Sequence, residues 1–290
     1  MRDANVKELP ETYRVSGSFI IYDNRNVFYC FSKSQRRAYC VVAACEGIVM
    51  IEEIRQELKE QADETYRKFH ASLVPGLTDF LGVRIPALRS IARKLAKDDW
   101  RRYLREASDS CYEELMLQGM VIGYAAMDRD ERAEHLRGFI PKINNWAVCD
   151  CCCSTWKFMR KDPAYWYDFL LPFLEGGEYE IRSVVVSLMD HFPEKEYLQR
   201  QFSIYNGIHH EGYYVKMAVA WAISVCYVRF PQETAAFLGA NSLDDFTQNK
   251  AIQKCRESNR ISREEKEMLN GLKRGKSHEL YQKSRAGGSS

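Results

Sequence analysis

Ile51-Glu52-Glu53-Ile54-Arg55-Gln56-Glu57-Leu58 sets Ile51, Ile54 and Leu58 at i, i+3 and i+7, one apolar stripe on an otherwise charged helix. Pro86-Ala87-Leu88-Arg89-Ser90-Ile91-Ala92-Arg93-Lys94-Leu95 repeats the pattern, with Pro86 where a helix begins and a missing N–H costs nothing. The same reading predicts helices over 111–126, 129–139, 145–159, 163–174, 180–190, 195–205, 213–229, 231–238, 244–257 and 262–273. Between them stand short breakers such as Gly176-Gly177 and Phe192-Pro193. No window after residue 50 reads as strand.

These helices phase into pairs. Asn145-Trp146, Glu180-Ile181-Arg182 and Val219-Ala220-Trp221 each fall in the inner-looking helix of a unit, and Trp146, Arg182 and Trp221 are separated by 36 and 39 residues. Helical pairs recurring at about 40 residues predict an all-α, HEAT-like or armadillo-type α-α superhelix with a concave face. A long partner would lie along that face.

Bulk composition agrees with one helical body. The chain has 290 residues and a formal charge of +2, with 46% hydrophobic and 28% charged residues, which excludes a fibre or a disordered chain. Its near-neutral balance demands no nucleic acid, so such a claim has to rest on local charge. From Ala251 to Ser290 ten Lys and Arg face five Glu, leaving the remainder slightly acidic. A basic stretch of this kind is a solvated face or, beside a groove, a phosphate contact.

Residues 1–49 read differently. Val15–Tyr22 and Val27–Phe31 are β-prone runs around Asp23-Asn24-Arg25-Asn26, and two strands alone are barely stable. The segment is therefore either a packed appendage or non-native sequence upstream of a start at Met50. The domain boundaries expected are an extension over 1–49, a repeat domain over 50–275 and a flexible polar tail over 276–290. Met1–Arg14 lacks an apolar signal region and no apolar run reaches membrane-spanning length, so the expected location is cytoplasmic.

Several side chains could carry chemistry. Trp146 and Asp150 share a helix face, where a carboxylate and an electron-rich ring could stabilise a developing cation; the plainer alternative is a core Trp beside a solvated Asp. Arg182, in an apolar helix, either pairs with a carboxylate such as Glu178 or Glu180 or holds a phosphate. Trp221 is core by its surroundings, although the small residues beside it would let its ring reach a cleft. Cys149, Cys151, Cys152 and Cys153 invite a metal, but helix geometry turns Cys151 away from the others and no second CxxC follows. His209-His210-Glu211 reads as a polar turn. No metal and no cofactor are expected.

Taken together, these residues resemble the AlkD-like DNA alkylation repair family of HEAT-like DNA glycosylases. The resemblance spans roughly Met50 to Lys276 and rests on Leu81-Gly82-Val83-Arg84-Ile85-Pro86-Ala87-Leu88-Arg89, the Trp146/Asp150 pair, Arg182 and Ala218-Val219-Ala220-Trp221-Ala222. It implies hydrolysis of the N-glycosidic bond of cationic purines such as 3-methyladenine or 7-methylguanine. Asp150, Trp146 and Trp221 would act at the sugar, and Arg182, Arg84, Lys216 and Lys250 would bind DNA. The implied partner is alkylated, double-stranded DNA, met by a monomer without cofactor. Pro75-Gly76, in the segment between His70 and Leu81, is closer to a shortened subfamily that lacks an early DNA-gripping helix. The alternative is a weakly active or inactive module binding nucleic acid or a protein on the concave face.

Overall fold

A computed structural model describes residues 50–275 apart from Pro75 and Thr78 and, for the backbone alone, residues 18–23, 27–32, 38–40 and 42–49. The polar tail over 276–290 and its Lys276, Lys283 and Arg285 lie outside the described residues. Near the N-terminus β1 (Ser18–Asp23), β2 (Val27–Ser32) and β3 (Ala38–Cys40) form an antiparallel sheet in that order, with Ser18 opposite Ser32 and Tyr29 opposite Cys40. The two expected β runs are thus joined by a third strand.

Everything that follows is helical. The first pair is α1 (Val42–Glu60), which runs across the change of composition at residue 50, and α2 (Glu64–Leu73). Next come α3 (Ile85–Leu95), α4 (Trp100–Glu106), α5 (Tyr112–Tyr124) and α6 (Arg129–Phe139). The middle holds α7 (Trp146–Cys153), α8 (Pro163–Leu170), α9 (Glu178–His191) and α10 (Lys195–Gly207). The chain closes with α11 (Tyr213–Arg229), α12 (Pro231–Gly239), α13 (Asp245–Glu257) and α14 (Arg263–Asn270).

Local chemistry sets most of these ends. Asp128 Oδ1 accepts from Glu131 N at 2.8 Å and starts α6, while Asn145 Oδ1 accepts from Val148 N at 2.9 Å and starts α7. Two helices escape the apolar-period reading, α2 and α4. Each is announced by an N-cap aspartate, Asp63 and Asp99. Two others are shorter than expected. The helix expected over 145–159 ends at Cys153, because Ser154 and Thr155 turn their hydroxyls back onto the Cys151 and Cys152 carbonyls at 2.9 and 2.7 Å, and a 3-10 turn follows over Lys157–Lys161. The helix expected over 163–174 ends at Leu170, since Pro172 has no N–H to continue the ladder and the chain tightens into a 3-10 turn over Leu171–Glu175.

The tertiary arrangement is an α-α superhelix. One row is formed by α3, α5, α7, α9, α11 and α13, each packed on the next, with α4, α6, α12 and α14 against it from the other layer. In α5 the side chains of Leu115, Met116, Leu117, Met120 and Val121 are all buried, each worth about 2 kcal/mol of transfer free energy. Helices α5 and α7 approach closely because Gly119 and Gly123 carry no side chain: a Cβ at either would run into Cys152 or Thr155. The same row runs in parallel. Asp150, Arg182 and Tyr214 meet near the starts of α7, α9 and α11, and His191 meets the Cys153 carbonyl where α9 and α7 end.

Two buried polar groups yield stability predictions. Glu113 is wholly buried and accepts the N–H groups of Leu81, Gly82 and Val83 at 2.9, 2.8 and 3.3 Å, fixing the turn into α3. Gly82 sits there at φ +86°, with no room for a Cβ against Arg67 and the Asp63 carbonyl. Glu113→Ala strands these donors and is expected to lower the unfolding free energy by about 3 kcal/mol, read as a fall in the urea midpoint. The second group is His191, whose Nε2 lies 2.7 Å from the Cys153 carbonyl and therefore carries the proton, while its Nδ1 has no partner among the described residues. Burial pushes its pKa down from 6.5 to about 4. The unfolded chain binds this proton below about pH 6.5 and the folded one only near pH 4. Stability is therefore full above pH 6.5 and declines as pH falls, by about 3 kcal/mol over the window. His191→Gln, which keeps an N–H donor without titrating, should flatten the pH dependence of the melting temperature between pH 6.5 and 4. An unchanged slope would contradict this account.

Candidate active site

The N-cap of Asn145 places Trp146 at the first position of α7 and Asp150 one turn later. Asp150 meets Arg182, one turn into α9, in a two-pronged pair: Arg182 Nε donates to Oδ1 at 2.9 Å and Nη2 to Oδ2 at 2.8 Å. Nη1 donates to the Tyr214 carbonyl at the start of α11 at 2.6 Å. Three successive helices of the row are thus locked at one point. The Arg182 side chain is 7% exposed and that of Asp150 19%, so the carboxylate keeps a narrow solvent-facing edge while the guanidinium is the more deeply buried of the two. Burial works against the Arg182 charge, but the Asp150 hydrogen bonds and charge outweigh it and hold the guanidinium above its usual range.

Glu178 and Glu180, the neighbours expected for Arg182, have other work. Glu178 accepts the Tyr214 N–H at 2.6 Å, and Glu180 accepts the Gly177 N–H at 3.1 Å in a capping box. Both satisfy N–H groups at helix starts, where a carboxylate is favoured.

Trp146 is half-buried and its Nε1 donates to the Leu73 carbonyl at 3.2 Å, which pins the ring against the end of α2. Trp221 is half-buried on α11, seven residues beyond Tyr214 and so on the same helix face, about 10 Å along the axis. It forms one wall of a cleft that also contains Arg229 and Arg260. The other expected cations stand outside the Asp150 hydrogen bonds. Arg84 gives Nε and Nη2 to Asp63 Oδ2 at 3.0 and 2.8 Å and lies over the Tyr66 ring. Lys216 is 2.9 Å from the Glu211 carboxylate and 3.8 Å from that of Asp244. Lys250 Nζ donates to Gln253 Oε1 at 3.0 Å and faces the Phe246 ring.

Residue-level reading missed an aromatic line at the helix starts beside this point. Tyr179 and Tyr214 rings are 5.7 Å apart, Tyr214 and Tyr213 5.3 Å, and Tyr213 and Phe246 5.9 Å. Tyr213 and Phe246 are exposed. Adjacent aromatics opening a helix, out of phase with its buried stripe, were the available signal.

A family model described as DNA alkylation repair enzyme matches residues 54–255, from within α1 to within α13. The chain belongs to that family. The matched span holds Trp146, Asp150, Arg182 and Trp221, so the locked carboxylate of this DNA alkylation repair enzyme lies inside the matched region. No curated protein and no solved structure matches the chain.

In this DNA alkylation repair enzyme the cysteine cluster serves packing. Cys149, Cys152 and Cys153 are wholly buried, burial pushes their thiols up, and Cys152 Sγ donates to the Met116 carbonyl at 3.4 Å. His210 Nδ1 accepts the Gly212 N–H at 2.9 Å in the turn before α11. Among the described residues no group of three His, Cys, Asp or Glu is placed to hold a metal ion, and no helix is long and apolar enough to cross a membrane.

Proposed function

We propose that the repair chemistry is glycosidic: the chain removes cationic alkylated purines such as 3-methyladenine and 7-methylguanine from duplex DNA by hydrolysing the N-glycosidic bond. The observation that carries this reading is the carboxylate of Asp150, oriented by two Arg182 N–H groups, 19% exposed and one helical turn from Trp146. Alkylation places a positive charge on the purine, so the C1′–N bond breaks with its electron pair leaving on a neutral base. The sugar is left as an oxocarbenium ion. A fixed negative charge beside C1′ stabilises that ion, because the carboxylate needs no reorganisation as charge develops. Each Asp150 oxygen keeps a lone pair beyond its bond to Arg182, enough to orient water for attack at C1′ and take its proton. Trp146 and Trp221 would pack on the sugar with their electron-rich faces toward the cation.

Arg182 then works chiefly as a positioning residue. Only one N–H on each of its terminal nitrogens remains for a phosphate. Arg84, which is 58% exposed, can exchange Asp63 for a DNA phosphate at little net cost, since one surface ion pair replaces another. Lys216 and Lys250 would contact the backbone near α11 and α13. Between α2 and the turn into α3 the described residues hold no helix, which supports placing the chain with the shortened members of the family. No cofactor is required, and the monomer suffices.

The test is release of free 7-methylguanine and 3-methyladenine from methylated duplex DNA at low salt, followed by chromatography. Release by the wild type is the expected result. DNA binding without release would favour the alternative of a non-catalytic nucleic-acid module, to which the occupation of both Asp150 oxygens by Arg182 lends support.

A further inference from the structure

We propose that the cleft beyond Trp221, where α11 ends beside the α13–α14 connection, is a phosphodiester-binding subsite in which Arg229 and Arg260 hold a backbone phosphate of the bound DNA. The proposal rests on the glycosylase reading and adds a site to it.

The cleft has a volume of about 270 Å³, and among the described residues no acidic side chain lines it; its walls include Trp221, Ser224, Val228, Arg229, Ser258 and Arg260. Four donor-bearing side chains, those of Trp221, Arg229, Ser258 and Arg260, line it. Neither guanidinium has an ion pair or a side-chain hydrogen bond among the described residues, in contrast to Arg84 and Lys216, which are held by carboxylates. The Trp221 indole N–H likewise has no acceptor among them. Ser258 Oγ accepts the Arg260 N–H at 3.2 Å, which leaves its own proton to donate. An acid-free pocket with two planar, permanently charged forks suits a phosphate, whose oxygens accept paired N–H bonds.

Placement supports a DNA phosphate rather than a free anion. Trp221 is shared between the cleft and the proposed sugar contact, so a strand whose damaged sugar meets Trp221 carries a flanking phosphate toward Arg229, two turns further along α11.

The experiment measures binding of a methylated duplex by fluorescence anisotropy between 50 and 200 mM salt, alongside base release. It compares the wild type, Arg229→Gln/Arg260→Gln, each single variant, and Arg256→Gln as an exposed cation of α13 outside the cleft. Both cleft arginines are exposed and their guanidinium groups make no hydrogen bond or ion pair among the described residues, so the variants should melt as the wild type does. The slope of log K against log salt is expected to fall by about 0.9 in the double variant, the increment for one phosphate, and to stay at the wild-type value for Arg256→Gln. An unchanged slope in the double variant, or an equal fall in Arg256→Gln, overturns the subsite and leaves the glycosylase reading standing if release persists. A wild type that neither binds DNA nor releases base overturns both.

Discussion

Asp150→Asn is expected to slow single-turnover release of 7-methylguanine by about 100- to 1,000-fold, the range seen when one preorganised charge-stabilising group is removed. The substitution preserves shape and leaves one oxygen to accept from Arg182. Its amide N–H faces the second Arg182 donor, however, and the buried guanidinium loses its counter-ion, so stability falls as well and the rate is compared below the melting transition. On the proposed glycosylase reading, what disappears is the negative charge opposite the oxocarbenium ion and the lone pair that takes the proton from water. DNA affinity should hardly move, because the ground-state duplex presents no cation at C1′ beyond the alkylated base itself. The comparison is made at saturating enzyme, with circular dichroism to verify the fold. A variant that releases base at the wild-type rate removes Asp150 from the mechanism and leaves Trp146 and Trp221 without a charge partner.

Arg182→Met should act on both stability and rate. Its guanidinium ties α7, α9 and α11 together through Asp150 and the Tyr214 carbonyl, and losing it leaves a carboxylate that is four-fifths buried without its counter-ion. Breaking such a pair from one side is expected to lower the unfolding free energy by about 3 kcal/mol. Adding Asp150→Asn removes the stranded charge. The double variant should therefore recover a good part of that stability in urea denaturation while staying as slow as Asp150→Asn alone. If the second change instead deepens the loss, the two residues are not coupled as the geometry requires. Arg182→Lys separates charge from geometry: a single ammonium cannot reproduce the two parallel N–H bonds, so the carboxylate loses its orientation and the rate falls although the charge remains.

How much of this was legible beforehand depends on the range of the interaction. The helices α6 and α11 were readable to the residue, because apolar period, Asp128 and the boundary prolines act within a few positions. The repeat spacing of Trp146, Arg182 and Trp221 correctly assigned them to α7, α9 and α11, consecutive helices of one row. The ends of α7 and α8 were misread, since Ser154, Thr155 and Pro172 act on a backbone whose apolar pattern continues past them. The partner of Arg182 was also misread. Glu178 and Glu180 are its neighbours in the chain, yet helix starts expose N–H groups that claim them, and the guanidinium turns to a carboxylate 32 residues away.

By itself the sequence determined that residues 50–275 form paired helices and that an Asp and a Trp share one turn, because backbone hydrogen bonding and apolar periodicity are local. Only the tertiary structure decided that Asp150 is oriented by a buried arginine, that Arg84 and Lys216 are occupied by carboxylates while, among the described residues, Arg229 and Arg260 are not, and that a cleft without an acid among those residues lies against Trp221. Those outcomes follow from the stacking of parallel helices, which sets side chains from three successive repeats within hydrogen-bonding distance at spacings no local pattern encodes.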